Sequence, residues 1–136
     1  MPTRQTHTAT TTHEVMKNTA YENIVKGWLM HAGWQVFSPE LDHGHKTDVL
    51  ISDGKQNHRV QVKTVGAKGK DHVVQKQWED EHSIDVVVYF ARNSSWGVVA
   101  PAFTENKRPL NHPEHVRFSS LSQKEFLAAF HAIPNR

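Results

Sequence analysis

Apolar residues near the start of the chain recur with a helical period: Val15, Met16, Ala20, Tyr21, Ile24, Val25, Trp28, Leu29 and Ala32 fall at spacings of three and four. The pattern predicts an amphipathic helix over residues 13–32, closed by Gly33 at the position after its C-cap. Two capping boxes compete for its start, Thr11-x-x-Glu14 and Thr19-x-x-Glu22. Under the second, Glu22 is a cap. With a start near Thr12 it falls in mid-helix at the edge of the apolar stripe, where a carboxylate needs a partner.

Past the helix the period shortens to two. Residues 34–37 predict a short strand, halted by Pro39. Residues 47–64 read T-D-V-L-I-S-D-G-K-Q-N-H-R-V-Q-V-K-T, which predicts strands over 47–52 and 58–64 joined by a turn at Asp53-Gly54. Alternation points Val49 and Ile51 one way and Asp48 the other, and separates Val60, Val62 and Thr64 from Arg59, Gln61 and Lys63. Pairing the apolar sets in the core gathers Asp48, Gln61 and Lys63 on one polar patch.

The second half opens with Trp78-Glu79-Asp80-Glu81-His82, which predicts an acidic helical turn. The apolar run over residues 84–90 predicts a strand buried on both faces. Asn93-Ser94-Ser95 makes a turn, and residues 96–100 return as the neighbouring strand. Residues 104–115, rich in Pro, Asn and charge, predict a loop with Lys107 and Arg108 on its surface. A last helix is expected over residues 123–131, with Ser122-x-x-Glu125 as capping box and Leu121 stapled to Phe126. Together these predict an α/β fold, a mixed central sheet of about five strands flanked by helices, without internal repeats.

At 136 residues the length fits one domain, expected over residues 12–136 behind a polar, disordered arm at 1–11. Arg4, in that arm, is a further cation for a polyanion or simply part of a frayed end. No apolar run approaches the ~20 residues of a membrane span, so the expectation is a soluble cytoplasmic protein without a membrane partner. The absence of Cys excludes disulfides, thiolate metal sites and a Cys nucleophile. Sixteen Lys and Arg against fourteen Asp and Glu give a formal net charge of +2, compatible with a DNA partner without requiring one. The placement of Lys46, Arg59, Lys68, Lys70 and Lys76 suits contact with a phosphate backbone, and a solvated loop suits them equally. His43 and His45 form an H-x-H pair with no third metal ligand placed beside them.

The order helix Glu22, strand Asp48, turn, then Gln61-x-Lys63 resembles the PD-(D/E)XK nuclease superfamily, over residues 19–64. Within it, Arg59-Val60-Gln61-Val62-Lys63-Thr64 is similar to the signature strand of group I intron-associated homing endonucleases that carry Gln for the second acid. Thr47 stands where the motif has Pro. The resemblance implies a restriction-endonuclease-like fold and a metal-dependent endonuclease acting on double-stranded or branched DNA. It implies a divalent ion, Mg²⁺ or Mn²⁺, held by Glu22, Asp48, Gln61 and the backbone carbonyl of Val62, with Lys63 beside it. It also implies a homodimer or higher homo-oligomer, because cutting two strands needs two sites. The chemistry is coherent on its own terms: Mg²⁺ takes oxygen ligands with one or two carboxylates, and a lysine can orient water and offset transition-state charge. Two alternatives stand beside it, a Holliday-junction resolvase-type nuclease and a catalytically silent module on the same scaffold that binds DNA or protein.

Overall fold

The computed structural model describes residues 2–3, 5, 7–40, 47–79 and 84–134. The first helix, α1 (Thr10–His31), starts earlier than either capping box allows: its N-cap is Ala9, with no side-chain cap. Glu22 is therefore a mid-helix residue and not a cap. Gly33, at φ 101°, ends the helix as expected. The buried stripe is narrower than the sequence period suggests, because Val25 and Leu29 are fully buried while Val15 and Met16 stay more than half exposed. Nothing in the described fold covers the first turns, so their apolar residues face outward.

The central sheet has six strands: β1 (Gln35–Phe37), β2 (Val49–Ser52), β3 (Asn57–Val65), β5 (Val86–Ala91), β6 (Trp96–Pro101) and β8 (Val116–Ser119). They lie in the order β1-β2-β3-β5-β6-β8, with β3 and β5 parallel and every other pair antiparallel. Strand β5, buried at all six positions, is the centre the apolar run predicts. β8 completes the sheet because Gly97 lets the edge strand close in. A Cβ there would lie 2.6 Å from the Phe118 ring and 2.4 Å from the Tyr89 carbonyl.

Each face of the sheet carries a core. On one, Val49, Ile51, Val60 and Val62 meet Val25 and Leu29 of α1 and Phe126 and Phe130 of α2 (Gln123–His131). On the other, Val87, Tyr89 and Val98 meet Val74, Trp78, Phe103 and Leu110. That second core is roofed by a ribbon the sequence pattern does not show: β4 (Val73–Gln75) pairs with β7 (Lys107–Pro109) inside the expected loop. Arg108 is correspondingly not a surface residue. It is 7% exposed, with Glu105 and Glu114 on its guanidinium and the Phe103 ring beneath it.

At α2 the capping box forms by half. Ser122 Oγ accepts the Glu125 N–H at 3.1 Å, but the Glu125 carboxylate takes the Ser119 N–H, tying α2 to β8. The expected staple does not form, since Leu121 is 83% exposed while Phe126 is buried. The acidic turn after Trp78 falls largely on residues 80–83, outside the described residues.

Candidate active site

β2 and β3 pair from Ser52↔Asn57 to Val49↔Val60, and there β2 ends. Asp48 stands at this fork. Its N–H reaches the Val60 carbonyl at 3.0 Å, and its Oδ2 accepts the Val62 N–H at 2.7 Å. A carboxylate thus takes the place of the next β2 carbonyl as acceptor for a β3 N–H. In a strand the N–H and C=O of one residue point to the same side, so the Val62 carbonyl also faces the fork.

Val60 and Val62 belong to the core beneath the helices, so Gln61 and Lys63 project to the opposite face. Gln61 is 3% exposed, and its Oε1 has no hydrogen-bond partner among the described residues. A buried amide oxygen left in that state costs free energy unless a donor or cation meets it. Lys63, half-buried, is the register partner of Tyr89 on β5. Both line a cavity of about 290 Å³ closed on its far side by His72, Val74, Gln75 and Gln77. The Tyr89 hydroxyl is likewise buried and unpartnered, and burial pushes its pKa above the usual phenol value. Sequence reasoning missed Tyr89 because it sits in a continuous apolar run; its one signal was that it alternates with Val87 onto the Lys63 face.

Glu22 approaches from the helix side. α1 runs antiparallel to β3 and β5: Lys17 bonds Asn93 beyond the end of β5, Tyr21 stacks on Phe90 at 4.4 Å, and Trp34, just past the helix, meets His58 near the start of β3. Since Phe90 is level with Thr64, half-buried Glu22 lies near the level of Val62 and Lys63. The sheet stands between it and the Gln61–Lys63 face, except at the fork where β2 departs.

The candidate donors are oxygens alone: two carboxylates, an amide oxygen and a main-chain carbonyl. Among the described residues no three His, Asp or Glu converge as a metal cage. A cation here would depend on Gln61 and the Val62 carbonyl, and the buried, unpartnered Gln61 Oε1 fits that demand.

The basic residues do not form one cluster. Lys68 and Lys70 are exposed in the segment between β3 and β4, and half-buried Lys76 directly follows β4. Arg59 is exposed near the other end of β3, about 13 Å along the strand from Lys63; its N–H donates to Asp85 Oδ2 at 2.7 Å. Lys46, Arg4 and the His43-x-His45 pair lie outside the described residues. A separate cavity of about 220 Å³, lined by Trp34, Asp53, His58 and His131, holds none of the candidate residues.

No protein-family model matches the chain, and no curated protein matches its sequence. Its structure is similar to that of a bacterial homing endonuclease, I-Ssp6803I, at TM-score 0.58 and 16% identity, over 79% of this chain and 81% of that one. It also matches Hjc, a Holliday junction resolvase of Archaeoglobus fulgidus, at TM-score 0.46 and 13% identity, over 66% of this chain and 84% of the other. The chain thus shares its fold with that homing endonuclease, a mixed central sheet flanked by helices as the sequence predicts. No helix among the described residues is long and apolar enough to cross a membrane.

Proposed function

We propose that the chain is a metal-dependent DNA endonuclease whose active site is the fork between β2 and β3. The observation that supports this reading is the 2.7 Å bond from Val62 N–H to Asp48 Oδ2, which sets an acid against the Gln61-Val62-Lys63 segment of β3. Bound Mg²⁺ or Mn²⁺ would polarise the scissile phosphate and acidify a water. Glu22, Asp48, Gln61 Oε1 and the Val62 carbonyl would hold it. Lys63 would orient the attacking water and offset charge on the phosphoryl oxygens. Lys68, Lys70 and Lys76 would follow the DNA backbone, and Arg59 and Lys46 would add further contacts.

Nicking of supercoiled plasmid in Mg²⁺ or Mn²⁺ tests the reading. Asp48→Ala and Lys63→Ala each abolish it, and full activity in both variants would sink the assignment. Branched DNA belongs in the same assay as a substrate. A homodimer or higher homo-oligomer goes with this reading, supported by the exposed apolar residues Val15, Met16, Ile24 and Met30 on α1.

A second reading rests on Gln61, a neutral side chain where an acid would bind a cation more strongly. Under it the domain binds DNA or protein without cutting. Titration calorimetry with Mn²⁺ separates the two, because uptake lost in Asp48→Ala supports the nuclease and DNA binding without any uptake supports the silent module.

A further inference from the structure

The β4–β7 ribbon has two unlike faces. Register pairs Val73 with Pro109, Val74 with Arg108 and Gln75 with Lys107. Backbone bonds extend the ladder at both ends, from Leu110 N to His72 O at 2.8 Å and from Lys76 N to Asn106 O at 2.8 Å. Val74, Arg108 and Leu110 point inward and are buried. Gln75 and Lys107, directly opposite one another, are exposed, and Val73 beside them is 49% exposed.

The inner face is firmly held. Arg108 forks onto Glu105 and also reaches Glu114 at 2.9 Å while lying 4.8 Å over the Phe103 ring, so the ribbon is ordered before anything binds. It is also close to the candidate active site, because the cavity lined by Lys63 and Tyr89 has Val73, Val74 and Gln75 as its opposite wall. The charge around it is mixed with a small positive excess among the described residues: Lys68, Lys70, Lys76, Lys107 and Arg108 against Asp71, Glu79, Glu105 and Glu114, the last two both engaged by Arg108.

We propose that the outer face of the β4–β7 ribbon reads base edges in the major groove of duplex DNA, Gln75 and Lys107 supplying the hydrogen bonds and Val73 an apolar contact. The proposal rests on the nuclease reading for its partner. A two-stranded ribbon fits the major groove, glutamine pairs with adenine, lysine with guanine, and an apolar side chain meets the thymine methyl. The lysines at 68, 70 and 76 would hold the register on phosphates without reading sequence.

The test is selection by the full-length chain from a pool of random-sequence duplex DNA, in EDTA so that nothing is cut. The wild type enriches a sequence. Gln75→Ala and Lys107→Ala each relax preference at a different base position, on the order of tenfold. Gln75→Arg, which keeps a long polar arm, moves the preferred base rather than erasing it, an outcome that misfolding cannot produce. Lys68→Ala weakens all sequences alike. No enrichment by the wild type, a pattern that Gln75→Ala and Lys107→Ala leave unchanged, or equal competition by duplex RNA, whose major groove side chains cannot read, overturns the proposal. Enrichment that depends on Gln75 and Lys107 in a chain that never nicks plasmid supports the ribbon while counting against the nuclease reading.

Discussion

Asp48 accepts the backbone N–H of Val62 through one carboxylate oxygen, at 2.7 Å, and so closes the sheet at the point where a strand is missing. The residue therefore has a structural duty apart from any chemistry, and alanine cannot distinguish the two. Asparagine can, because its amide oxygen still accepts the N–H while the charge is gone. Asp48→Ala should cost about 1–3 kcal/mol for the stranded amide, and Asp48→Asn less than about 1 kcal/mol. Both should lose metal-dependent nicking. Urea denaturation beside the nicking assay checks the pair.

Gln61 gives a sign reversal. Gln61→Glu puts a carboxylate where burial disfavours charge, so without divalent ions at pH 8 the variant should be about 1–3 kcal/mol less stable than wild type. Mn²⁺ should restore much of that loss and bind more tightly than to the wild type. Thermal melts with and without Mn²⁺ decide it. A variant equally unstable in both conditions would show that Gln61 faces no cation.

At Gly97 the sheet has no room. An added methyl would sit 2.4 Å from the Tyr89 carbonyl and 2.6 Å from the Phe118 ring, so strand β6 or β8 must shift. Gly97→Ala should cost about 3 kcal/mol or more, a size reserved for a backbone clash in a packed interior. Chemical denaturation of the purified variant, or its failure to accumulate as folded protein, is the measurement.

His115 makes the ribbon acid-sensitive. Burial holds its pKa down at about 4; Nδ1 lies 3.1 Å from the Leu110 carbonyl, and the buried Nε2 has no partner for a second proton. The unfolded chain takes up that proton near the ordinary value of 6.5. The unfolded state thus binds more protons between those limits, and stability falls as pH drops from 6.5 towards 4. The loss should be on the order of 1 kcal/mol once partial exposure of the site is allowed for. His115→Phe should flatten the slope in urea titrations at pH 7.0, 5.5 and 4.5.

Local patterns were the legible part of this chain. Alternation in β3 sorted Val60 and Val62 from Gln61 and Lys63 onto the faces they occupy, and Ser122 marked the start of α2 to the residue. Features made by distant contacts were not legible. β7 reads as a charged loop because Arg108 is buried only through Glu105, Glu114 and Phe103, which no local period encodes. The start of α1 was missed because Ala9 offers no capping side chain. The staple was misplaced because Leu121 has a matching neighbour in sequence but no cover in space. At the candidate site the residue types were readable, whereas the fork that lets Asp48 reach β3 depends on where β2 stops.

The outer strands of the central sheet are short, three residues in β1 and four in β8. β8 is also bound to α2 through the Glu125 carboxylate on the Ser119 N–H. A neighbouring chain seeking to lengthen this sheet would find only a few rungs at either side, so growth by strand addition, the route to fibres, is poorly served. Copies of this protein would have to recognise each other through side chains, and that makes self-association open to single substitutions on the surface.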